Sequence, residues 1–336
     1  MKIWELMSGL QVACESAARA AFHFVGSGQK EDADEAATQA MRKVLNGLST
    51  RMEVVIGEGE RDQAPMLYHG ELLGMAAGEP PWCLAVDPLE GTSLVAKGLA
   101  GAMAILAVTE PSGLIKAPDF YMDKLAAAPS LKGKISLNFS LKKNLEIIAS
   151  TYQIPMKDVV ILVQERERHR ELISHIRSLG ARVKLFAEGD VGAALACALD
   201  TGMAHAFMGI GGAPEGVVTA AACAVLGAHF EGKFIYDPEV VKTGLIGNSA
   251  ALNRKRLVDM GISDPDRVYL GTELASGNNI LVVATGVTSG DVLQGVRFKE
   301  GAEITETLVL LKLESSQPTL DQIPKIQWIR SEHQTR

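Results

Sequence analysis

The sequence is poor in residues that mark several classes of protein. Aromatic residues make up 5% of its 336 positions, and only four positions are cysteine. The cysteines lie far apart with no C-x-x-C pair, which argues against a zinc site and against a disulfide framework. Basic residues number 33 against 40 acidic ones, and the formal charge of −7 has the wrong sign for a protein dedicated to nucleic acid.

Long apolar runs are also missing. No stretch approaches the ~18 to 20 uninterrupted apolar residues that a membrane-spanning helix needs. Near the N-terminus, Ile3, Leu6 and Leu10 follow helical spacing, but Glu5 and Glu15 interrupt the apolar run. This pattern predicts an amphipathic helix rather than a signal peptide, so we expect a cytoplasmic protein with neither a membrane nor a nucleic-acid partner.

What the sequence does contain is a large aliphatic fraction and many tight turns. Hydrophobic residues account for 47% of the chain and glycine for 33 positions, which predicts an extensive aliphatic core and many tight turns. The length of 336 residues predicts two domains or one large α/β unit. We expect an N-terminal subdomain over 1–135, a second over 136–316 and a polar tail over 317–336. The second half alternates between strands and helices, which favours a parallel or mixed sheet. The predicted strands are 159–163, 182–187 and 204–208, with helices 168–179, 190–199 and one opening at Pro214, and later strands 279–284 and 304–312 completing this sheet.

Acidic residues stand at the ends of several predicted elements. Glu58, Asp87 and Glu90 follow apolar runs, whereas Asp34 and Glu215 lie where a loop enters a helix. A carboxylate at the end of a buried strand is costly unless a positive group joins it. Because no His or Cys stands nearby and hard oxygen ligands suit hard cations, the pattern points to Mg²⁺ or Mn²⁺.

The segment from Asp87 to Thr92, D-P-L-E-G-T, is the most informative. Pro and Gly predict a tight turn that turns Asp87 and Glu90 toward one point, with the Thr92 hydroxyl beside them. The alternative is an ordinary surface turn.

A glycine-rich segment runs from Gly209 to Glu215. Flexible backbone entering a helix with Pro in its first turn could hold a phosphate through exposed N–H groups. The alternatives are a turn with no ligand and a dinucleotide-binding loop, although the G-x-G-x-x-G spacing of the latter is absent.

Basic residues alternate over 166–170, with Arg166, Arg168 and Arg170 in turn. They could form a solvated helix start, or they could grip a distant phosphate bidentately. His69, His169 and His205 have no nucleophile motif beside them, and we expect them to be structural or on the surface.

Taken together, these motifs resemble a known family. The D-P-x-[DE]-G-[ST] pattern after an apolar strand resembles the signature of the metal-dependent, lithium-sensitive sugar and inositol phosphatases. Further segments, spread over roughly residues 1 to 312, resemble class II fructose-1,6-bisphosphatase. They are Lys30–Asp34, Val55–Glu60 continuing through Ala64–Tyr68, Ala117–Leu125, and Gly209–Val218.

The resemblance implies roles for matching positions. Asp34 and Glu58 would bind one metal, and Asp87, Glu90 and Glu215 a second. Thr92, with Asp87 and Glu90, would be catalytic, positioning or activating the attacking water. The implied substrate-binding residues are Glu90, Gly91, Thr92, Tyr121, Arg166, Glu167, Arg168, Glu188, Gly189, Asp190 and Gly212. Three positions depart from the family pattern: Glu188 replaces the commoner Asp, Glu167 a Pro and Glu35 a Gly.

The resemblance also implies a layered αβαβα sandwich, a Mn²⁺ or Mg²⁺ cofactor, a sugar bisphosphate substrate and a homo-oligomer, either dimer or tetramer. The implied reaction is hydrolysis of fructose 1,6-bisphosphate to fructose 6-phosphate and phosphate, as in gluconeogenesis or the Calvin cycle. A metal-activated water would attack in line, without a phosphoenzyme. The alternatives are a dual enzyme that also takes sedoheptulose 1,7-bisphosphate, an inositol-phosphate phosphatase, and a non-catalytic sensor of metal or sugar phosphate.

Overall fold

Two β-sheets organise the chain in a computed structural model that describes residues 2–58, 66–237, 249–314 and 325–334. The chain forms two units, one of Met1–Leu114 with Ser276–Arg336 and the other of Ile115–Ala275. The predicted α/β class with two subdomains is confirmed. Residues 59–65 of the quoted motif and residues 317–324 of the expected tail lie outside the described residues.

The strands and helices are numbered along the chain. The strands are β1 (Met52–Ile56), β2 (Leu72–Leu73), β3 (Trp82–Glu90), β4 (Met103–Thr109), β5 (Tyr121–Ala127), β6 (Val160–Gln164), β7 (Arg182–Phe186), β8 (Ala206–Gly212), β9 (His229–Ile235), β10 (Tyr269–Leu270), β11 (Ile280–Gly286), β12 (Arg297–Lys299), β13 (Ala302–Lys312) and β14 (Ile326–Gln334). The helices are α1 (Met7–Phe22), α2 (Lys30–Asn46), α3 (Thr92–Lys97), α4 (Leu141–Tyr152), α5 (Arg170–Ser178), α6 (Asp190–Ala198), α7 (Ala213–Leu226), α8 (Ala250–Asp259) and α9 (Gly271–Leu274), with short 3-10 turns at Ile3–Leu6, Pro129–Leu131, Met156–Asp158 and Glu167–His169.

The first unit contains an eight-stranded sheet in the order β12-β13-β11-β4-β3-β1-β2, with β14 beside β13. Strands β1 and β3 run parallel, and the other pairs run antiparallel. Helices α1 and α2 pack against each other, and α1 also packs against β11. As the sequence predicts, the apolar face of α1 is buried in this core. Among the described residues, no helix is long and apolar enough to cross a membrane.

The second unit contains a six-stranded sheet in the order β10-β9-β5-β8-β6-β7. Strands β8, β6 and β7 run parallel to one another, whereas β5 lies antiparallel between β8 and β9. The mixed sheet agrees with the alternation of strands and helices in the sequence, and β6, β7, β8 and the helices between them lie close to their predicted bounds.

The structure divides the chain differently from the expected boundaries at 135 and 316. Strand β5 already belongs to the second sheet, so the first boundary falls at 114. Strands β11 and β13, which we expected to complete the second sheet, pair in the first one, because β11 aligns with β4 from Thr109 to Met103. The described part of the expected polar tail is also structured, because β14 pairs with β13 over Ala302–Leu310.

Candidate functional site

The two carboxylates of the D-P-L-E-G-T segment lie on a β-bulge rather than in a tight turn. Strand β3 continues through Glu90, and its register against β4 shifts between Asp87, opposite Ile105, and Glu90, opposite Met103. One extra residue on β3 therefore interrupts the alternation of faces. A bulge is also a place where a strand accommodates proline, here Pro88.

The bulge brings the carboxylates of Asp87 and Glu90 together. Their carboxylate oxygens lie within 4.8 Å of each other, and Glu90 is only 4% exposed. The Leu89 N–H donates to Oδ1 of Asp87 at 3.1 Å, which fixes that side chain. Gly91 follows at a φ of 90°, a left-handed conformation that favours glycine, and α3 begins at Thr92.

Glu58 lies at the same end of the sheet as Asp87. Strand β1 runs parallel to β3 and ends with Ile56 opposite Ala85. Glu58 follows two residues later, and its N–H donates to the Leu67 carbonyl at 3.0 Å. The backbone approaches so closely that a Cβ at Gly57 would overlap the Leu67 carbonyl oxygen. Glycine is therefore required just before the predicted ligand.

Asp34 lies inside a helix, not at its start as the sequence suggested. Helix α2 begins four residues earlier, at Lys30, and packs against β3 and α3. Burial raises the pKa of Asp34, and Glu31 adds to that rise while Lys30 opposes it. A cation beside Asp34 would offset the cost of keeping it ionised.

These residues fit a hard divalent cation. Asp34, Glu58, Asp87 and Glu90 offer only oxygen atoms, and the carboxylates of Asp87 and Glu90 are close enough to share an ion. Mg²⁺ and Mn²⁺ prefer such ligands, whereas zinc sites are built mainly from His and Cys.

Glu215 lies where a helix begins, as predicted. It is the third residue of α7, with Pro214 in the first turn, and its Oε2 accepts the Gly212 N–H at 3.2 Å. This is the reciprocal bond of a capping box.

The glycine-rich segment before Glu215 is a strand, not a phosphate-binding loop. Residues 209–212 belong to β8 and pair with β5. The Ile210 N–H donates to Nε2 of His169 at 2.8 Å, and the Ala213 N–H donates to the Phe120 carbonyl at 2.7 Å. Because these groups and the Gly212 N–H already bond within the protein, they cannot cradle a phosphate without rearrangement.

Asp190, the first residue of α6, pairs with the buried Lys124 of β5. It is 6% exposed, and one of its carboxylate oxygens accepts from the ammonium of Lys124, which is 1% exposed. Burial raises the pKa of Asp190, but the charge and hydrogen bond of Lys124, the hydrogen bond with Glu215 and the charge of Arg168 together outweigh burial and leave the pKa below its usual value. Oδ1 of Asp190 is buried and has no partner in the described protein.

Arg168 is held in place by the protein. Its Nε donates to the Ile210 carbonyl and its Nη2 to Oε1 of Gln164, both at 2.8 Å, and its guanidinium carbon lies 5.2 Å from the centre of the Tyr121 ring. Arg166 is more exposed and lies 3.8 Å from a carboxylate oxygen of Glu188.

The rest of the charge run faces solvent. Glu167 pairs with Arg170 at 2.7 Å, and both side chains are 76% exposed. The solvated-face interpretation therefore describes these two residues better than a substrate contact does.

His169 and His205 have structural contacts, as expected. His169 is buried between the Gln164 carbonyl, 2.7 Å from Nδ1, and the Ile210 N–H at Nε2. Its burial lowers its pKa, and the two contacts suit the neutral tautomer with hydrogen on Nδ1. His205 accepts the Val160 N–H at 3.0 Å and stacks edge-on against Tyr152.

Sequence reasoning missed Lys124 and Gln164. Lys124 could have been found in the sequence, because it is the one cation in a mostly apolar strand and follows the candidate substrate residue Tyr121 by three positions. Gln164 has no comparable signal, because its bond to Arg168 is visible only in the tertiary structure.

Comparison with known proteins identifies the family of this chain. The family model described as bacterial fructose-1,6-bisphosphatase, glpX-encoded, matches residues 5–323. A protein of Crocosphaera subtropica named D-fructose 1,6-bisphosphatase class 2/sedoheptulose 1,7-bisphosphatase is 50% identical over 315 residues, covering 90% of this chain and 91% of that protein. A protein of the same name from a Synechocystis species is 47% identical over 328 residues, covering 94% and 95%. The chain therefore belongs to the glpX-encoded family of bacterial fructose-1,6-bisphosphatases.

Proposed function

We propose that this protein hydrolyses the 1-phosphate of fructose 1,6-bisphosphate, releasing fructose 6-phosphate and phosphate in a metal-dependent reaction. The observation that carries the proposal is the bulge in β3, which gathers Asp87 and Glu90 within 4.8 Å and is followed directly by Gly91 and Thr92. Membership of the family supports the substrate.

Five carboxylates would hold the metal ions. Asp34 and Glu58 would bind one Mn²⁺ or Mg²⁺, and Asp87 and Glu90 a second, to which the family resemblance adds Glu215. When bound, the ions would neutralise phosphoryl oxygens and lower the pKa of a coordinated water.

Thr92 would act on the attacking water. It is the first residue of α3, and the left-handed Gly91 before it sets the direction in which the helix leaves the bulge. A hydroxyl at this position can accept a hydrogen bond from a water and orient it for attack, which is a role in the chemical step rather than in binding.

The second unit would hold the sugar and its 6-phosphate. Arg168 donates one N–H group to Ile210 and one to Gln164, and these bonds fix its position. Because a guanidinium has five N–H groups, others would be available to bind a phosphate. Tyr121, Arg166 and the unpartnered oxygen of Asp190 would complete the contacts. Glu188, Gly189 and Gly212 remain proposed neighbours of the substrate.

A dual activity is the second candidate. The relatives from Crocosphaera and Synechocystis are named for both fructose 1,6- and sedoheptulose 1,7-bisphosphate. We propose that this chain accepts both sugars. A homo-oligomer, either dimer or tetramer, and a cytoplasmic location stay predictions, and light scattering of the purified protein would measure the first.

Phosphate release from a substrate panel tests the proposal. The panel contains the two sugar bisphosphates, inositol 1-phosphate and fructose 6-phosphate, each measured with EDTA, Mg²⁺ or Mn²⁺. We expect turnover of the bisphosphates only with metal and loss of kcat by orders of magnitude in Glu215→Gln. Full turnover in EDTA would refute the metal site, and preference for inositol 1-phosphate would refute the substrate.

A further inference from the structure

Lys124 is an unusual residue for the middle of a sheet. It lies in β5, the third strand of the six-stranded sheet, and is among the largest fully buried side chains. An ammonium taken out of water costs several kcal/mol unless it is paired and hydrogen-bonded. The buried position of Lys124 therefore requires nearby groups that pair with its charge.

Glycines around Lys124 leave room for its side chain. It lies opposite Gly209 of β8 on one side and Gly232 of β9 on the other. A Cβ at Gly211 would overlap the Asp190 carboxylate and lie 3.0 Å from Nζ of Lys124, and a Cβ at Gly216 would lie 3.4 Å from its Cδ. Gly211 and Gly216 therefore leave room for the Lys124 side chain and its partner Asp190.

The ammonium of Lys124 joins the starts of two helices. It donates to the carboxylate of Asp190, the first residue of α6, and to the Gly212 carbonyl at 2.8 Å. Oε2 of Glu215, in the first turn of α7, lies 3.7 Å from Nζ. One buried cation therefore faces two carboxylates that carry different proposed roles.

We propose that Lys124 is a positioning residue, whose ammonium holds Asp190 and Glu215 in the orientations that the substrate and metal contacts need. This inference rests on the proposed function of those two carboxylates. Without Lys124, the buried Asp190 carboxylate and the partly exposed Glu215 carboxylate have no cation between them, and their repulsion turns at least one of them away. Lys124 itself touches no reacting atom in this proposal.

A double-mutant cycle tests the proposal. Lys124→Met keeps the length of the side chain and removes the charge, Asp190→Asn removes the partner's charge, and the double variant removes both. Lys134→Met, at an exposed lysine of the same unit, is the matched control. For each protein we would measure the midpoint of denaturation without metal, and kcat and KM for fructose 1,6-bisphosphate with Mn²⁺.

We expect Lys124→Met to lower kcat/KM by at least 100-fold and Lys134→Met to leave it unchanged. In the Asp190→Asn background, Lys124→Met should lower kcat/KM by a factor at least tenfold smaller than in the wild type. The denaturation midpoints should likewise shift less when the two substitutions are combined than the sum of their separate shifts. Should Lys124→Met fail to fold, the double variant, which buries no unpaired charge, is expected to fold and can be compared with Asp190→Asn alone.

Two results would overturn the proposal. One is a folded Lys124→Met with wild-type kcat and KM, and the other is effects on kcat/KM that simply multiply in the double variant. A wild-type protein that does not hydrolyse the sugar bisphosphate would refute the proposed function instead, while coupling of the metal-free midpoints would still report on the Lys124–Asp190 contact.

Discussion

A methyl group at Gly211 should disrupt the Lys124–Asp190 pair. In Gly211→Ala the new Cβ would lie 3.1 Å from Cγ of Asp190, 3.0 Å from Nζ of Lys124 and closer still to an Asp190 oxygen. Ordinary contacts of carbon with heavy atoms are about 3.5 to 4.0 Å, so the carboxylate must move by roughly half an ångström or more. Neither Asp190 nor Lys124 can swing into water, because both are buried.

Two contributions set the expected loss of unfolding free energy in Gly211→Ala. Overpacking by a methylene-sized group costs about 1–3 kcal/mol, and complete loss of a buried ion pair costs about 3–5 kcal/mol. Since the displaced pair keeps part of its attraction, we expect the free energy of unfolding to fall by about 2–4 kcal/mol. For a unit of this size each kcal/mol shifts Tm by about 2–4 °C, so Tm should fall by about 5–15 °C.

Thermal denaturation followed by circular dichroism measures this shift, and phosphate release on the same preparation measures kcat/KM. Gly47→Ala is the control. Gly47 has a φ of −81°, and a Cβ added there would come no closer than 3.3 Å to another residue, at the Val44 carbonyl oxygen. Its Tm should change by no more than about 2 °C. A Gly211→Ala protein that melts with the wild type and keeps its kcat would show that the pair tolerates displacement and would refute the reasoning.

Three other predictions concern separate residues. Thr92→Val should lose about 10²-fold or more in kcat with little change in Tm, whereas Thr92→Ser keeps substantial activity; an active but less stable Val variant would instead assign Thr92 a structural role. Arg168→Ala should raise KM more than it lowers kcat and narrow the preference for bisphosphates over monophosphates, and unchanged KM and selectivity would remove Arg168 from the substrate site. Burial lowers the pKa of His229 from 6.5 to about 4, with the charge of Lys132 adding to the shift. Because the unfolded chain takes up that proton first, the free energy of unfolding should fall between about pH 6.5 and 4, by up to about 1.4 kcal/mol per pH unit. Denaturation of the wild type and His229→Leu over this range should show a weaker pH dependence in the variant, and equal slopes would contradict it.

The sequence alone predicted a site rich in carboxylates and determined the order of elements in the second half. Apolar runs and helical periodicity are local, so β6, β7, β8, α6 and α7 could be placed within a few residues of their observed bounds. The carboxylates were recognisable because acidic residues at the ends of apolar runs are costly without a cation.

The tertiary structure decided what depends on partners far away in the chain. Which sheet a strand joins is set by its pairing, so β11 and β13 could be found as strands but not assigned to the sheet of β4. The bulge at Asp87 exists only as a register shift against β4. Likewise, Gly211 of β8 looks like part of a ligand loop until the Lys124–Asp190 pair is seen to fill the space beside it, because a missing side chain has meaning only through the atoms that occupy its place.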